Sequence, residues 1–278
     1  MRFKKIKKEK NIAWWQTFGK TWMTLTAPAR PPKSVIKIFE KQFLNFIKKN
    51  KRRPRVLILG CTPEYRSFCA KYRLPVIFAD INPQMKKAMD MILERKNPNE
   101  RFIHSDWLKI GQKIPAGSID FVLGDFSTNN IMYADWPKLF ANINKVLAPG
   151  GRFMPRDYVA KEKRMTKAEI FRKIKRTKKI NYTVLWWDLI FNICYYPKTD
   201  MVRNPLLSDV AYAGNSLKVK KVIKRYIELF PPNERWWTTL TRKKLDGEYK
   251  RLFRMLAIKY VSDYPYCDIT PIYILERK

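Results

Sequence analysis

The chain has 278 residues, enough to bury a full core either as one large domain with an insertion or as two lobes. Aromatic residues at 14% exclude a disordered chain, and 58 Lys and Arg against 24 Asp and Glu give a net charge of +34. That field favours polyanions, acidic metabolites or anionic membrane surfaces, although a generally lysine-rich surface gives the same charge without any partner.

The run Met1–Lys10 is basic, but Asn11–Gln16 follows it in place of an apolar signal core, so no export is expected. Residues 1–33 read as a basic and aromatic cap. Trp14, Trp15, Phe18 and Trp22 cluster ahead of Pro28, Pro31 and Pro32, which break any helix there. Val35, Ile36, Phe39, Phe43, Phe46 and Ile47 then recur mostly at spacings of three and four. This predicts an amphipathic helix that leads through the basic stretch Lys48–Arg55 into a first strand.

Residues 34–160 read as an α/β core with a doubly wound, mostly parallel sheet. Strands are predicted near 55–60, 75–80, 101–105, 118–124 and 151–156, with helices near 64–72, 83–95 and 135–147. Val56–Leu59 is apolar at every residue, as in a parallel strand covered on both faces, and Gly60 permits a sharp turn at its carboxyl end. Asp80 follows Gly60 by 20 residues, at the tip of the run Val76–Ala79, where a carboxylate accepts from ribose hydroxyls. Right-handed crossovers gather the carboxyl ends of such strands at one edge. Gly60, Asp80, Asp106 and Asp125 are therefore expected to face one crevice, which predicts an adenosine-containing ligand.

Residues 161–257 read as a helical insertion on the acceptor side. Lys161–Lys179 carries ten basic residues against two acidic ones, with Ile170, Phe171 and Ile174 as a narrow apolar stripe, and Val219, Val222, Ile223, Tyr226, Ile227 and Phe230 make a second. Residues 258–278 read as a terminal antiparallel strand pair, Ile258–Tyr264 and Pro271–Arg277, completing the sheet at its edge. The longest apolar run, Thr183–Tyr196, is shorter than a bilayer span and contains Asp188, so no transmembrane segment is expected. Cys61, Cys69, Cys194 and Cys267 include no CxxC pair, which points to no metal, no disulfide framework and a reducing cytoplasmic setting. His104, the one histidine, is expected inside the third strand as a core residue and not a base.

Two further motifs fall in order. Ser118–Asp125 has an acid near its start, an apolar middle and a second acid at its tip; Val146-Leu147-Ala148-Pro149-Gly150-Gly151-Arg152-Phe153 reads as a helix end turning into a buried strand. With these, residues 54–156 and the terminal strand pair resemble the class I S-adenosylmethionine-dependent methyltransferases. The resemblance implies a Rossmann-like sheet of about seven strands, S-adenosylmethionine as cofactor, and cofactor contacts at Gly60, Cys61, Thr62, Glu64, Asp80, Ile81, Asp106, Trp107, Gly124 and Asp125. A nicotinamide dehydrogenase, the nearest rival, is disfavoured because its GxGxxG turn is missing. The chain departs from the family's first motif, with Ile58 at the place of an acid and Thr62 and Glu64 where glycines are usual. Glu64 at the start of the next helix is expected to replace that acid by accepting from the cofactor's α-amino group; the plainer reading is a helix-start residue favoured by the dipole.

Methyl transfer from a sulfonium needs an in-line nucleophile and little else, so Asp125 is the single candidate for a catalytic role and a dedicated base is not required. Gly124-Asp125-Phe126-Ser127 stands where amino-directed nucleic-acid methyltransferases carry (D/N)PP(Y/F), and no Pro-Cys pair is present there for covalent attack on a pyrimidine. Trp14, Trp15, Trp186 and Trp187 are candidate acceptor contacts, with packing between lobes as the plainer role for such aromatic pairs, Trp236-Trp237 included. A small metabolite under a helical lid is the preferred acceptor. RNA or another polyanion comes second, and a catalytically silent, cofactor-sensing RNA-binding protein third.

Overall fold

A computed structural model of the chain describes residues 21–210, 216–233 and 235–278. Trp14 and Trp15 lie outside the described residues. The apolar stripe that follows the cap forms helix α1 (Lys33–Asn50), burying Val35, Phe39 and Phe43. Phe39 packs on Tyr65, and Phe43 on Phe68 and Phe121, at centroid distances of 5.1, 5.2 and 4.5 Å, so α1 lies across the sheet. Behind it, Arg52 reaches the buried Asp120 with two hydrogen bonds of 2.7 Å, and the Arg55 amide adds a third at 2.8 Å. The basic stretch is thus tied to the foot of the fourth strand.

The alternation continues as β1 (Val56–Leu59), α2 (Pro63–Lys71), β2 (Val76–Asp80), α3 (Pro83–Asp90), β3 (Glu100–His104), β4 (Ile119–Asp125), α4 (Trp136–Val146) and β5 (Leu147–Arg156). These five strands pair in parallel. The helical region holds α5 (Lys167–Arg176), α6 (Tyr182–Asn192), a single turn α7 (Leu207–Val210) and α8 (Leu217–Leu229). Three short strands, β6 (Tyr195–Tyr196), β7 (Met201–Arg203) and β8 (Trp236–Thr238), form a separate antiparallel sheet that the sequence reading did not contain. The chain ends with α9 (Arg242–Leu252), β9 (Phe253–Lys259) and β10 (Ile272–Arg277).

The large sheet has the order β3-β2-β1-β4-β5-β10-β9, with β10 antiparallel to both neighbours. The strand order reverses between β1 and β4, which opens a crevice beyond their carboxyl ends. Three details differ from expectation. The first terminal strand begins at Phe253 and stops at Lys259, so residues 260–264 belong to the connection. Leu147–Gly151 is already in β5 and not a turn: Leu147 pairs with Ile119 and Arg152 with Phe121, and the extra residues bulge out around Gly150 at φ +70°. His104 sits at the end of an edge strand, exposed, with Nε2 2.9 Å from the Ile81 carbonyl, because β3 has a neighbour on one side only.

Candidate active site

The register places Asp80, Gly60 and Asp125 side by side, since β1 is flanked by β2 and β4 and Leu59 is level with both Ala79 and Gly124. Gly60 has φ +105°, and its Cα faces the crevice: a Cβ there would point at the Trp107 ring and the Asp80 carboxylate, 3.6 and 3.9 Å away. The Trp107 ring is pinned by its Nε1, which donates to the Ala79 carbonyl at 2.6 Å. Asp106 accepts from the Leu108 amide at 3.1 Å and so caps the short turn that presents Trp107.

Asp80 accepts from the Asn82 amide at 2.8 Å. Burial pushes its carboxyl up to about 6, against the pull of that amide, the Cys61 thiol and the charge of Arg235. Cys61 and Thr62 are themselves buried, and burial raises the Cys61 thiol further, so it sits there as a neutral donor to Asp80. Glu64, on the first turn of α2, accepts from Arg30 Nε at 2.6 Å through one carboxylate oxygen. Its other oxygen is buried with no hydrogen-bond partner among the described residues, as is the Asn82 side-chain nitrogen.

Asp125 is fully engaged. Arg156 donates to both of its oxygens, at 2.6 Å from Nε and 3.1 Å from Nη2, and both side chains are buried. Burial lifts the Asp125 carboxyl above its ordinary range and the adjacent guanidinium opposes it. Gly124 has a packing reason of its own, because a Cβ there would fall 2.0 Å from Ser127 Oγ.

Asp125 also lines an apolar pocket, whose enclosed volume is about 70 Å³. Trp22, Leu25 and Ala29 of the cap form one wall; Trp186, Trp187, Ile190 and Phe191 of α6 form another; Phe126, Tyr158 and Trp237 close the remainder. The two tryptophans expected from the sequence are therefore here. Trp187 packs against Phe126 and Tyr158 at 5.6 and 5.8 Å, and Trp186 donates from Nε1 to Asn204 at 2.9 Å. The Asn130 amide of the lining is engaged within the protein. Asn130 accepts from Arg235 at 2.5 Å and donates to the Phe126 carbonyl at 2.8 Å. Arg156, Arg235, Asn130 and Tyr158 had no distinguishing signal in the sequence.

Residues 56–151 match the sequence profile of a family described as methyltransferase domain. Those residues are a methyltransferase domain, and the seven-stranded sheet around them has the class I methyltransferase fold. No curated protein matches the sequence of the chain. Solved structures similar to it include the PH0226 protein of Pyrococcus horikoshii OT3, at 16% identity and a TM-score of 0.54, over 88% of this chain and 91% of that one. A protein of Rhodobacter sphaeroides described as a putative Zn-dependent alcohol dehydrogenase aligns at 13% identity and a TM-score of 0.55, over 94% and 97%. A complex named DhpI-SAM-HEP aligns at 12% and 0.52, over 98% of each chain. At these identities the likeness is one of fold. Among the described residues no cluster of His, Cys, Asp and Glu has the makings of a metal site, and no helix is long and apolar enough to cross a membrane. The crevice fits an adenosyl cofactor. A buried acceptor on Glu64 and a buried donor on Asn82 lack partners, and Gly60 leaves the space over Trp107 and Asp80 open.

Proposed function

We propose that the chain is a class I S-adenosylmethionine-dependent methyltransferase that acts on a small, apolar, ring-containing acceptor held between the cap and α6, in a reducing cytosol that its four free cysteines fit. The observation that carries the reading is the pocket beside Asp125: seven aromatic side chains, with the Asp125 carboxylate and the Asn130 amide already hydrogen-bonded within the protein. Burying a polar or charged acceptor there costs unmet hydrogen bonds, whereas a flat apolar ring gains contact with tryptophan faces.

When bound, the cofactor supplies an electrophilic methyl group on a sulfonium. The protein's part is to seat it and exclude water. Asp80 would accept from the ribose hydroxyls, Trp107 would bind the adenine, and the second oxygen of Glu64 would accept from the α-ammonium. Asp125, held by Arg156, orients the Phe126 turn between cofactor and acceptor and abstracts no proton, so the rate comes from alignment. The acceptor atom is accordingly one that is nucleophilic without an enzymic base.

Glu64→Gln tests the cofactor seat. A charge-assisted hydrogen bond contributes about 1.5–3 kcal/mol, so affinity for S-adenosylhomocysteine is expected to fall roughly 10–100-fold in calorimetry. Affinity for methylthioadenosine, which has no amino-acid end, should stay unchanged; equal losses for both ligands, or none, would return Glu64 to a purely structural partner of Arg30. The acceptor is tested by incubating the enzyme with methyl-labelled donor and a whole-cell extract. Label is expected in organic-extractable small molecules, and Trp187→Leu should lower kcat/KM for the labelled product roughly tenfold or more at constant cofactor affinity. Label confined to RNA would refute the apolar-acceptor reading.

A further inference from the structure

We propose that the face built by α5 and α8 docks the protein on an anionic lipid membrane. The two helices present their charge together. Six cations between Arg172 and Lys179 and five between Lys218 and Arg225 are exposed, and neither run contains an acid. Their apolar stripes turn inward: Ile170, Phe171 and Ile174 from α5 and Val219, Val222, Ile223 and Tyr226 from α8 are buried. Lys218 fastens the two ends, its ammonium donating to the carbonyls of Lys175 and Thr177 at 2.8 Å each. Two cations of this set are paired with acids, Lys173 with Asp188 at 2.7 Å and Arg225 with Glu228 at 2.8 Å.

Charge alone would suit RNA equally well; the apolar component decides between them. Leu217, the first residue of α8, is 66% exposed beside Lys218, at the point where that lysine meets the end of α5. An exposed leucine set among cations suits the boundary between headgroups and acyl chains, where the cations meet anionic phosphates and the leucine enters the apolar layer. None of the large exposed hydrophobic side chains on these two helices is aromatic, so the face has no platform on which a base would stack. The position is also apt. Helix α6 lies between this face and the pocket, with α5 and α8 packed on it, and Trp186 of the pocket wall stacks on Phe230 at the end of α8 at 4.8 Å. Docking here puts the lobe that holds the apolar pocket against the bilayer, the phase into which an apolar acceptor partitions.

The test is flotation of the full-length protein with phosphatidylcholine vesicles, with and without phosphatidylserine. Binding is expected only with phosphatidylserine, and it should weaken as salt is raised. Each basic residue near such a surface contributes roughly fivefold, so a variant with Lys175, Arg176, Lys178 and Lys179 all changed to serine should bind at least about tenfold more weakly. A control of equal charge, with Lys41, Lys48, Lys49 and Arg53 changed to serine, should bind nearly as wild type; thermal midpoints confirm that both are folded. Leu217→Ser should weaken vesicle binding severalfold and leave retention on heparin unchanged. The proposal is overturned by absence of binding to phosphatidylserine vesicles, by equal losses in the two quadruple variants, or by a single-stranded RNA that binds more tightly than vesicles and depends on the α5 cations. Flotation needs neither cofactor nor acceptor, so this inference and the apolar-acceptor reading fail separately.

Discussion

Arg156→Leu is expected to lower the thermal midpoint by roughly 5–15 °C, because removing one member of a buried ion pair leaves an uncompensated charge at a cost of about 3–5 kcal/mol. The pair is among the most deeply buried in the protein, with side-chain exposures of 0% for Arg156 and 2% for Asp125. Arg156 also lies 4.3 Å from the Phe126 ring centroid, and Tyr65 is 3.4 Å from Asp125, so truncation disturbs both sides of the crevice. The double variant Asp125→Leu/Arg156→Met should regain most of the loss, since neither charge is then stranded. If the double variant melts as low as the single one, packing and not charge explains the effect. Asp125→Asn addresses chemistry instead. Loss of a general base lowers turnover by about 10²–10⁴, whereas an orienting residue whose oxygens are already occupied should cost under about tenfold when assayed well below the variant's midpoint.

That pair marks where the sequence stopped being informative. Arg156 is one of 58 basic residues, and nothing local separates a buried cation at a strand tip from the solvated ones around it. Arg235 is harder still, since its proximity to Asp80 depends on a segment about 150 residues downstream folding back over the crevice. The parallel strands were legible for the opposite reason. Val56–Leu59 is buried at every position, and burial on both faces writes a continuous apolar run into the sequence. The tryptophan pair of α6 was legible as large apolar residues in a helical region, although the sequence could not say that both line a pocket next to Asp125.

The misplacements have the same physical origin. Strand pairs set by distant partners leave short marks: β7 has three residues and finds β8 more than 30 residues later, too little periodicity to see. The Pro-Gly-Gly stretch reads as a turn because glycine permits one, yet Gly151 is there for closeness. A Cβ on it would lie 2.8 Å from the Ala148 carbonyl oxygen and 3.1 Å from that of Ile119, so the bulge requires glycine while pairing continues around it. His104 looked internal because it follows Phe102 and Ile103 within a strand, but whether a strand lies at an edge is a property of the sheet.

Asp80→Asn should raise the stability of the free protein at neutral pH and weaken cofactor binding at the same time. The carboxyl titrates at about 6 in the folded chain, above the ordinary value of 3.8, because it is buried. A carboxyl with a raised folded pKa contributes its stability below the unfolded pKa, and that contribution is lost as pH rises through the folded one. At pH above about 7 the ionised Asp80 therefore costs the free protein up to about 3 kcal/mol, which the neutral amide avoids. The midpoint of Asp80→Asn should exceed that of the wild type at neutral pH, and the gain should vanish below about pH 3, where Asp80 is protonated in both the folded and the unfolded state. Binding runs the other way. Ribose hydroxyls donate to the carboxylate, so below about pH 6 the cofactor must displace a proton, and Kd for S-adenosylhomocysteine should rise towards tenfold per pH unit. In Asp80→Asn the affinity should be weaker above pH 7 and flat with pH. A wild-type affinity that does not change between about pH 5 and 8, or an Asn variant that keeps the slope, would remove Asp80 from the cofactor seat and leave it as a strand-end residue bound to the Asn82 amide.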